Sequence, residues 1–262
     1  MSSNLLAISK LSVSFGGVKA LTDVSIEVPK NSVVGLIGPN GAGKTTVFNC
    51  ISGLVKSDSG IFEFEGVERA FPKPHELVDL GITRTLQGVG LFNELSVIQN
   101  VMVGADKNYK PNFVKELFGL SGKVEANLKA RAEEALAWVG GSALIDKKPS
   151  ELSYPDSKRV ALARALVINP KLLLLDEPAA GLGQDDIDAL AALIKQIKRR
   201  CSILIVEHHM DFVREISDSV SVLNFGKLIA TGHYDEVKKN PAVIEAYLGH
   251  TDNPNENSKL GA

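Results

Sequence analysis

The segment GPNGAGKTT, Gly38 to Thr46, constrains this chain more than any other. It satisfies G-x-x-x-x-G-K-[ST], follows the apolar run SVVGLIG, and opens the helically spaced GAGKTTVFNCISGL, which Gly53 ends. Strand, glycine loop and helix in that order let backbone N–H groups close around phosphate oxygens, and the helix N-terminus adds a favourable field. Lys44 supplies a point charge for the β and γ oxygens, and the Thr45 hydroxyl can ligate Mg²⁺. The plainer alternative is a glycine-rich turn with an incidental lysine, and the flanking strand and helix argue against it.

LLLLDEP, Leu172 to Pro178, is the matching second part. Asp176 ends a buried strand and can hold magnesium through water, while Glu177 can polarise a water across from the γ-phosphate. Alone, the pair reads equally well as an acidic strand end facing solvent. Beside the glycine loop it completes the parts of an in-line phosphoryl transfer to water.

The rest of the composition narrows the setting. With 262 residues, 44% apolar and 23% charged, the chain can bury a substantial core as one large domain or two modest ones. A formal net charge of -2, with both signs interspersed, gives no electrostatic prompt for nucleic acid. Cys50 and Cys201 lie far apart without neighbouring ligands, so they read as buried thiols of a reducing compartment. Apolar runs such as KLLLLD are too short to span a bilayer, and MSSNLLAISKLSVSF lacks the build of a secretory signal.

Along the chain, LLAISKLSVSFGGVKALTDVSIEV reads as two strands about a Gly16–Gly17 turn, and IFEFEG alternates as a half-exposed strand. Those strands exceed what one strand–helix unit needs, which predicts a small antiparallel layer. From about Gly88 to Ser150 strand signal fades, and Leu128, Ala132, Ala135 and Val139 share one face of a predicted helix. Within this stretch ADKNYKPN reads as a loop. Strand–helix alternation then resumes. SKRVALARALVINP is a helix closed by Asn169–Pro170, QDDIDALAALIKQIKRR a helix with acids first and bases last, and CSILIVEHH a buried strand. DFVREISDSV reads as a short helix, SVSVLNFGKLIATG as a hairpin turning at Gly226, and NPAVIEAYLG as a closing helix.

Taken in order, these motifs resemble the ATP-binding cassette superfamily, the nucleotide-binding subunits of ABC transporters. The resemblance runs from about Leu5 to Gly249 and looks closest to the branched-chain amino acid importer ATPases. SFGGVKAL, GLIGPNGAGKTTVFNCISG, GITRTLQGVGLFNELSVIQNV and VLNFGKLIATGHYDEVKKNPAVIEAYLG carry it. It implies an α/β fold: a P-loop NTPase (RecA-like) core with a mostly parallel sheet, a small antiparallel β-subdomain and a helical insertion over about 88–160. All of this forms a single ABC nucleotide-binding domain over 5–250, followed by a polar tail, 251–262.

The resemblance also implies roles. ATP and Mg²⁺ are the expected ligands, and the expected activity is ATP hydrolysis coupled to transport. Gly38, Pro39, Asn40, Gly41, Ala42, Gly43, Lys44, Thr45 and Thr46 match the phosphate loop, and Phe15 matches the aromatic that stacks on adenine. By itself Phe15 reads as a core strand residue. Gln87 matches the glutamine that senses magnesium and the attacking water, so Thr45, Gln87 and Asp176 form the metal set. The segment after Gln87 would face the membrane subunit. His208 matches the histidine at the γ-phosphate, with Glu177 and Gln87 as the other catalytic residues; a lone strand-end histidine is weak evidence otherwise. His209 stands where many relatives carry aspartate and reads as peripheral. AAGLGQDD, Ala179 to Asp186, matches the loop that couples paired sites. The implied partners are transmembrane permease subunits, a second ABC ATPase subunit and, indirectly, a solute-binding protein, at the cytoplasmic face of the membrane.

One segment departs from the pattern. LSYPD, Leu152 to Asp156, stands where the family usually has a segment close to LSGGQ, which closes the ATP site of the opposing subunit. Ser153 can still offer its hydroxyl in trans and is also a plausible N-cap, and the helix start should still point N–H groups at an anion. Pro155 has no N–H where the family's second glycine donates one. A lost charge-assisted donor costs about 1.5–3 kcal/mol. Asp156 adds an anion beside ATP, and Tyr154 adds bulk. Two readings follow: a homodimer with slow or altered hydrolysis, or a pair with a different cassette whose intact segment closes the working site. The systems this chain resembles use two different ATP-binding subunits, which favours the second. Other readings are an ATPase of a urea or short-amide importer, a soluble ABC-type ATPase acting on nucleic acid or ribosomes, and a binding-only regulator. No coiled-coil insertion, tandem cassette or basic patch is visible, and Asp176, Glu177 and His208 are more than a binding module needs.

Overall fold

The computed structural model describes residues 4–85, 88–105 and 122–248, with backbone alone over 122–124. Its strands in chain order are β1 (Asn4–Phe15), β2 (Val18–Pro29), β3 (Val33–Ile37), β4 (Ser59–Phe64), β5 (Val67–Arg69), β6 (Ile82–Arg84), β7 (Leu172–Asp176), β8 (Ser202–Val206), β9 (Ser219–Asn224) and β10 (Lys227–Gly232). The helices are α1 (Lys44–Ile51), α2 (Leu77–Leu80), α3 (Val97–Ala105), α4 (Gly122–Trp138), α5 (Tyr154–Leu166), α6 (Gln184–Ile197), α7 (Met210–Ile216), α8 (Tyr234–Val237) and α9 (Pro241–Leu248). They fall into two compact units, Met1–Pro74 with Ser202–Ala262, and His75–Cys201.

In the first unit, β2-β1-β4-β5 form an all-antiparallel sheet, the small layer expected from the surplus of strands. The β1–β2 turn puts both Gly16 (φ 52) and Gly17 (φ 87) in the left-handed region, the arrangement a two-residue hairpin needs. Sequence alternation in β1 slips phase between Ile8 and Leu11, both buried, because the register shifts there and Lys10 takes φ 53. A bulge thus keeps Leu6, Ile8, Leu11 and Val13 all on the core face. In β4, Phe62 and Phe64 are buried while Ile61 is exposed, as the alternation predicts.

The same unit holds parallel strands in the order β9-β3-β8, with β10 antiparallel on the β9 edge. Every residue of β3 and β8 is buried, which is why these strands read as continuous apolar runs. Ile37, Val213, Val220, Val222, Val237 and Val243 form a core cluster with Tyr234 and Tyr247 at its margin. Burial, together with Tyr234, pushes the Tyr247 phenol up.

In the second unit, β6 and β7 pair in parallel, and α3, α4 and α5 pack on one another. Leu128, Ala132, Ala135 and Val139 are buried, so the predicted helix face is the packed one. Gly104 sits where a Cβ would lie 2.2 Å from the Arg164 carbonyl oxygen, letting α3 approach α5 closely. Beyond the end of α5, Asn169 takes the left-handed conformation (φ 53) ahead of Pro170 and donates its N–H to the Leu166 carbonyl at 2.9 Å. α6 carries Asp185 and Asp186 in its first turn and Lys195 in its last, as the dipole favours. β5 and β6 are strands the sequence did not announce: three residues each are too few to show a period. The loop ADKNYKPN, apart from its first residue, and the tail 251–262 lie outside the described residues. Among the described residues no helix is long and apolar enough to cross a membrane.

Candidate active site

The glycine loop leaves β3 and enters α1 through Gly43, whose φ of 106 makes it a left-handed cap. Gly38 has φ 146, and a Cβ there would lie 2.1 Å from the Leu223 carbonyl oxygen. Side chains are excluded at both ends of the turn, so its close packing against Leu223 and Leu21 requires glycine there. Lys44 is buried, and its ammonium donates to the carbonyls of Gly38 (2.6 Å) and Pro39 (2.9 Å). The charge is thereby held over the loop. Thr45 is exposed, Thr46 half-buried and Asn40 exposed, while Pro39 and Ala42 are buried.

The β9–β10 turn supports this loop from behind, which the sequence showed only as a hairpin. The Gly226 N–H donates to the Ala42 carbonyl (3.0 Å), and the Gly226 carbonyl accepts from Thr22 N–H (2.8 Å). A Cβ on Gly226 would lie 2.4 Å from the Ala20 carbonyl oxygen.

His208 follows β8, the parallel neighbour of β3, so the two strands deliver His208 and the glycine loop to the same sheet edge. It is exposed, and so is His209. Both backbone N–H groups donate to the carboxylate of Glu207, at 2.8 Å and 3.2 Å, and Glu207 is 1% exposed. That buried acid fixes the turn carrying His208; an acid directly after an apolar run was the available signal. Phe15, at the tip of the β1–β2 hairpin, is 50% exposed, which excludes the core reading and leaves its ring free to stack.

The second unit holds the acids. Asp176 is buried at the end of β7, and its carboxylate pairs with the Arg84 guanidinium at 2.7 Å. The Thr85 N–H donates to the Leu174 carbonyl (3.0 Å), extending the β6 pairing toward the acid. Glu177 follows with φ 47, a left-handed backbone uncommon outside glycine. Gln87 lies outside the described residues. Just beyond it, Arg164 donates to the carbonyls of Gly90 (2.7 Å) and Val89 (3.1 Å), and burial pushes its guanidinium down from the ordinary value. Buried Asn100 binds the same loop through Phe92 N–H and the carbonyls of Phe92, Leu95 and Ser96.

Ser153 caps α5, accepting from Asp156 N–H at 3.2 Å. Its hydroxyl in turn donates to the Asp156 carboxylate at 2.8 Å, and Arg159 holds the other carboxylate oxygen at 2.9 Å. The helix start expected to face an anion thus has its serine hydroxyl bonded within the turn. Of the first three helical positions, Pro155 has no N–H and that of Asp156 is taken by the cap. The Asp156 carboxylate occupies the serine hydroxyl that an incoming phosphate would use.

A glycine loop with a buried lysine at the head of a helix, on a parallel sheet, defines a P-loop nucleotide-binding protein. The family model described as ABC transporter matches residues 21–180, and a second, described as branched-chain amino acid ATP-binding cassette transporter, matches residues 227–253. The chain belongs to the ABC transporter family, and it is an ATP-binding and ATP-hydrolysing cassette. The high-affinity branched-chain amino acid transport ATP-binding protein BraF of Pseudomonas aeruginosa is 36% identical over 254 residues, 95% of this chain and 99% of its own length. LivG of Salmonella typhimurium, which carries the same description, is 38% identical over 257 residues, again 95% and 99%. A nucleotide-free ATP-binding cassette from an ABC transporter superposes with a TM-score of 0.84 at 32% identity, covering 93% of this chain and 98% of that one. The architecture is accordingly a RecA-like P-loop NTPase core with a small antiparallel sheet and a helical insertion, a single ABC nucleotide-binding domain.

Proposed function

We propose that this chain energises a branched-chain amino acid importer, working at the cytoplasmic face of the membrane beneath permease subunits and beside a second ATPase subunit. The match of residues 227–253 to the branched-chain family model carries the substrate assignment, because the matching core at 21–180 is common to ABC transporters in general. A solute-binding protein delivers the amino acid to the permease in this reading.

The expected chemistry is hydrolysis of ATP. The loop from Gly38 to Thr46 holds the phosphates, Lys44 balances charge on the β and γ oxygens, and Phe15 stacks on adenine. Glu177 accepts the proton of the water that attacks the γ-phosphorus, and His208 orients the γ-phosphate. The residues that the family resemblance assigns to Mg²⁺, Thr45, Asp176 and Gln87, offer oxygen donors, the class this ion takes. Magnesium suits such a site, since it takes one or two carboxylates and completes its shell with phosphates and water. Bound there, it would neutralise charge on the β and γ oxygens. Arg84 keeps the Asp176 carboxylate in place at 2.7 Å.

Pairing with a different cassette is supported by the first turn of α5. Its serine hydroxyl is engaged by Asp156 and its second position is Pro155, so it is a poor half-site for a partner's ATP. The site built on Lys44, Glu177 and His208 needs only an intact segment from the partner. Uptake of labelled leucine by vesicles holding the co-purified permease, both cassettes and the binding protein tests the assignment. Leucine uptake that valine and isoleucine compete is expected; uptake of urea or short amides instead would contradict it.

A further inference from the structure

We propose that Lys158 is a positioning residue that sets the backbone of Glu177 and so aims its carboxylate. The inference rests on the reading of Glu177 as the group that takes the proton of the attacking water.

Glu177 adopts φ 47, a conformation that a side-chain-bearing residue holds only when its surroundings fix it. Its carbonyl accepts from the Ala180 N–H at 3.2 Å and from a side chain of α5. The Lys158 ammonium donates to the Pro178 carbonyl at 2.8 Å and to the Glu177 carbonyl at 3.4 Å, so one cation spans two successive carbonyls directly after the acid. It also lies 5.2 Å from the centre of the Tyr154 ring, whose hydroxyl donates to the Ala180 carbonyl at 3.4 Å. A Cβ on Gly181 would come 3.0 Å from that ring, so the ring packs closely on the loop. Arg159 reaches Asp186 at the start of α6 at 3.8 Å. Three side chains from the first turns of α5 thus grip the 177–186 segment, and of these three Lys158 is the one that reaches the carbonyl of Glu177. Lys158 lines a cavity of about 410 Å³ with Asp176, Glu177, Leu182 and Leu193, so an uncharged chain of similar length is accommodated there. The arrangement ties the half-site offered to the partner, Ser153 to Asp156, to the acid of this chain's own site.

The test compares full-length Lys158→Met, Lys158→Arg, Glu177→Gln and the Lys158→Met/Glu177→Gln double variant. Amide hydrogen exchange over 178–182 reports the grip. ATP affinity and single-turnover hydrolysis, with the chain paired with a second cassette that carries an intact signature segment and the pair in excess over ATP, report its consequence. Lys158→Met is expected to speed exchange and to slow hydrolysis roughly tenfold, the loss of one charged hydrogen bond, with ATP affinity unchanged. Lys158→Arg is expected to restore both. In the Glu177→Gln background Lys158→Met should cost nothing further, because its effect passes through the acid. Unchanged exchange or unchanged hydrolysis in Lys158→Met, or a full tenfold loss on top of Glu177→Gln, overturns the inference. Hydrolysis at the wild-type rate by Glu177→Gln overturns the reading of Glu177 instead.

Discussion

Gly38 and Gly43 were legible from the sequence because the residues of a phosphate loop are contiguous, and their spacing carries the geometry with it. Gly226 was not. It lies far along the chain, and only folding brings its N–H to Ala42 and its α-carbon against Ala20. Gly226→Ala should therefore cost about 1–3 kcal/mol, from strain at a positive φ and a displaced strand, and should weaken ATP binding although it lies outside the phosphate loop. Urea unfolding and titration with a fluorescent ATP analogue measure the two effects. Glu207 escaped notice for a similar reason: the exposed histidines beside it draw attention, while the buried carboxylate does the holding. The cysteines behave as read. Burial raises Cys50 to about 11 and Cys201 to about 12. An unfolded thiol ionises near about 8.5, so between that value and 11 the unfolded chain binds fewer protons and stability falls as pH rises. Both thiols should resist iodoacetamide at pH 8 in the native protein and react in urea; rapid alkylation without denaturant would contradict their burial.

At the scale of elements, the strongly periodic segments were readable and the short or conditional ones were not. A run such as Leu172–Asp176 announces a strand by its uniform apolarity, whereas β6, of three residues, exists because Ile82 to Arg84 pair with β7. The start of α5 shows the limit from the other side. Its serine, proline and aspartate predict a well-capped helix, and the structure has one, but the same cap consumes groups an anion would need. Stability and function are opposed in this turn. Pro155→Gly should destabilise the fold by about 0.4–1 kcal/mol through unfolded-state entropy. It should also raise hydrolysis at the partner's site by roughly tenfold or more as a donor returns. Activity unchanged in every combination of subunits would refute the donor-loss argument.

For the whole molecule, the family and the fold could be read from ordered motifs, because each motif is local. The hold of α5 on Glu177 could not, since residues 158 and 177 share no motif and meet only through the packing of α5 against the end of β7. The proposed picture is asymmetric: Lys44, Asp176, Glu177 and His208 serve this chain's own ATP, while its signature segment is a weak one to lend to another. Steady-state ATP hydrolysis tests this most directly, measured on the purified chain alone, then with a second cassette carrying an intact signature segment, and then with Glu177→Gln in this chain. The account predicts little activity alone, substantial activity together, and loss of at least about a hundredfold at this chain's site in the variant. Substantial hydrolysis by the chain alone, or a mixed assembly indifferent to Glu177→Gln, would contradict it.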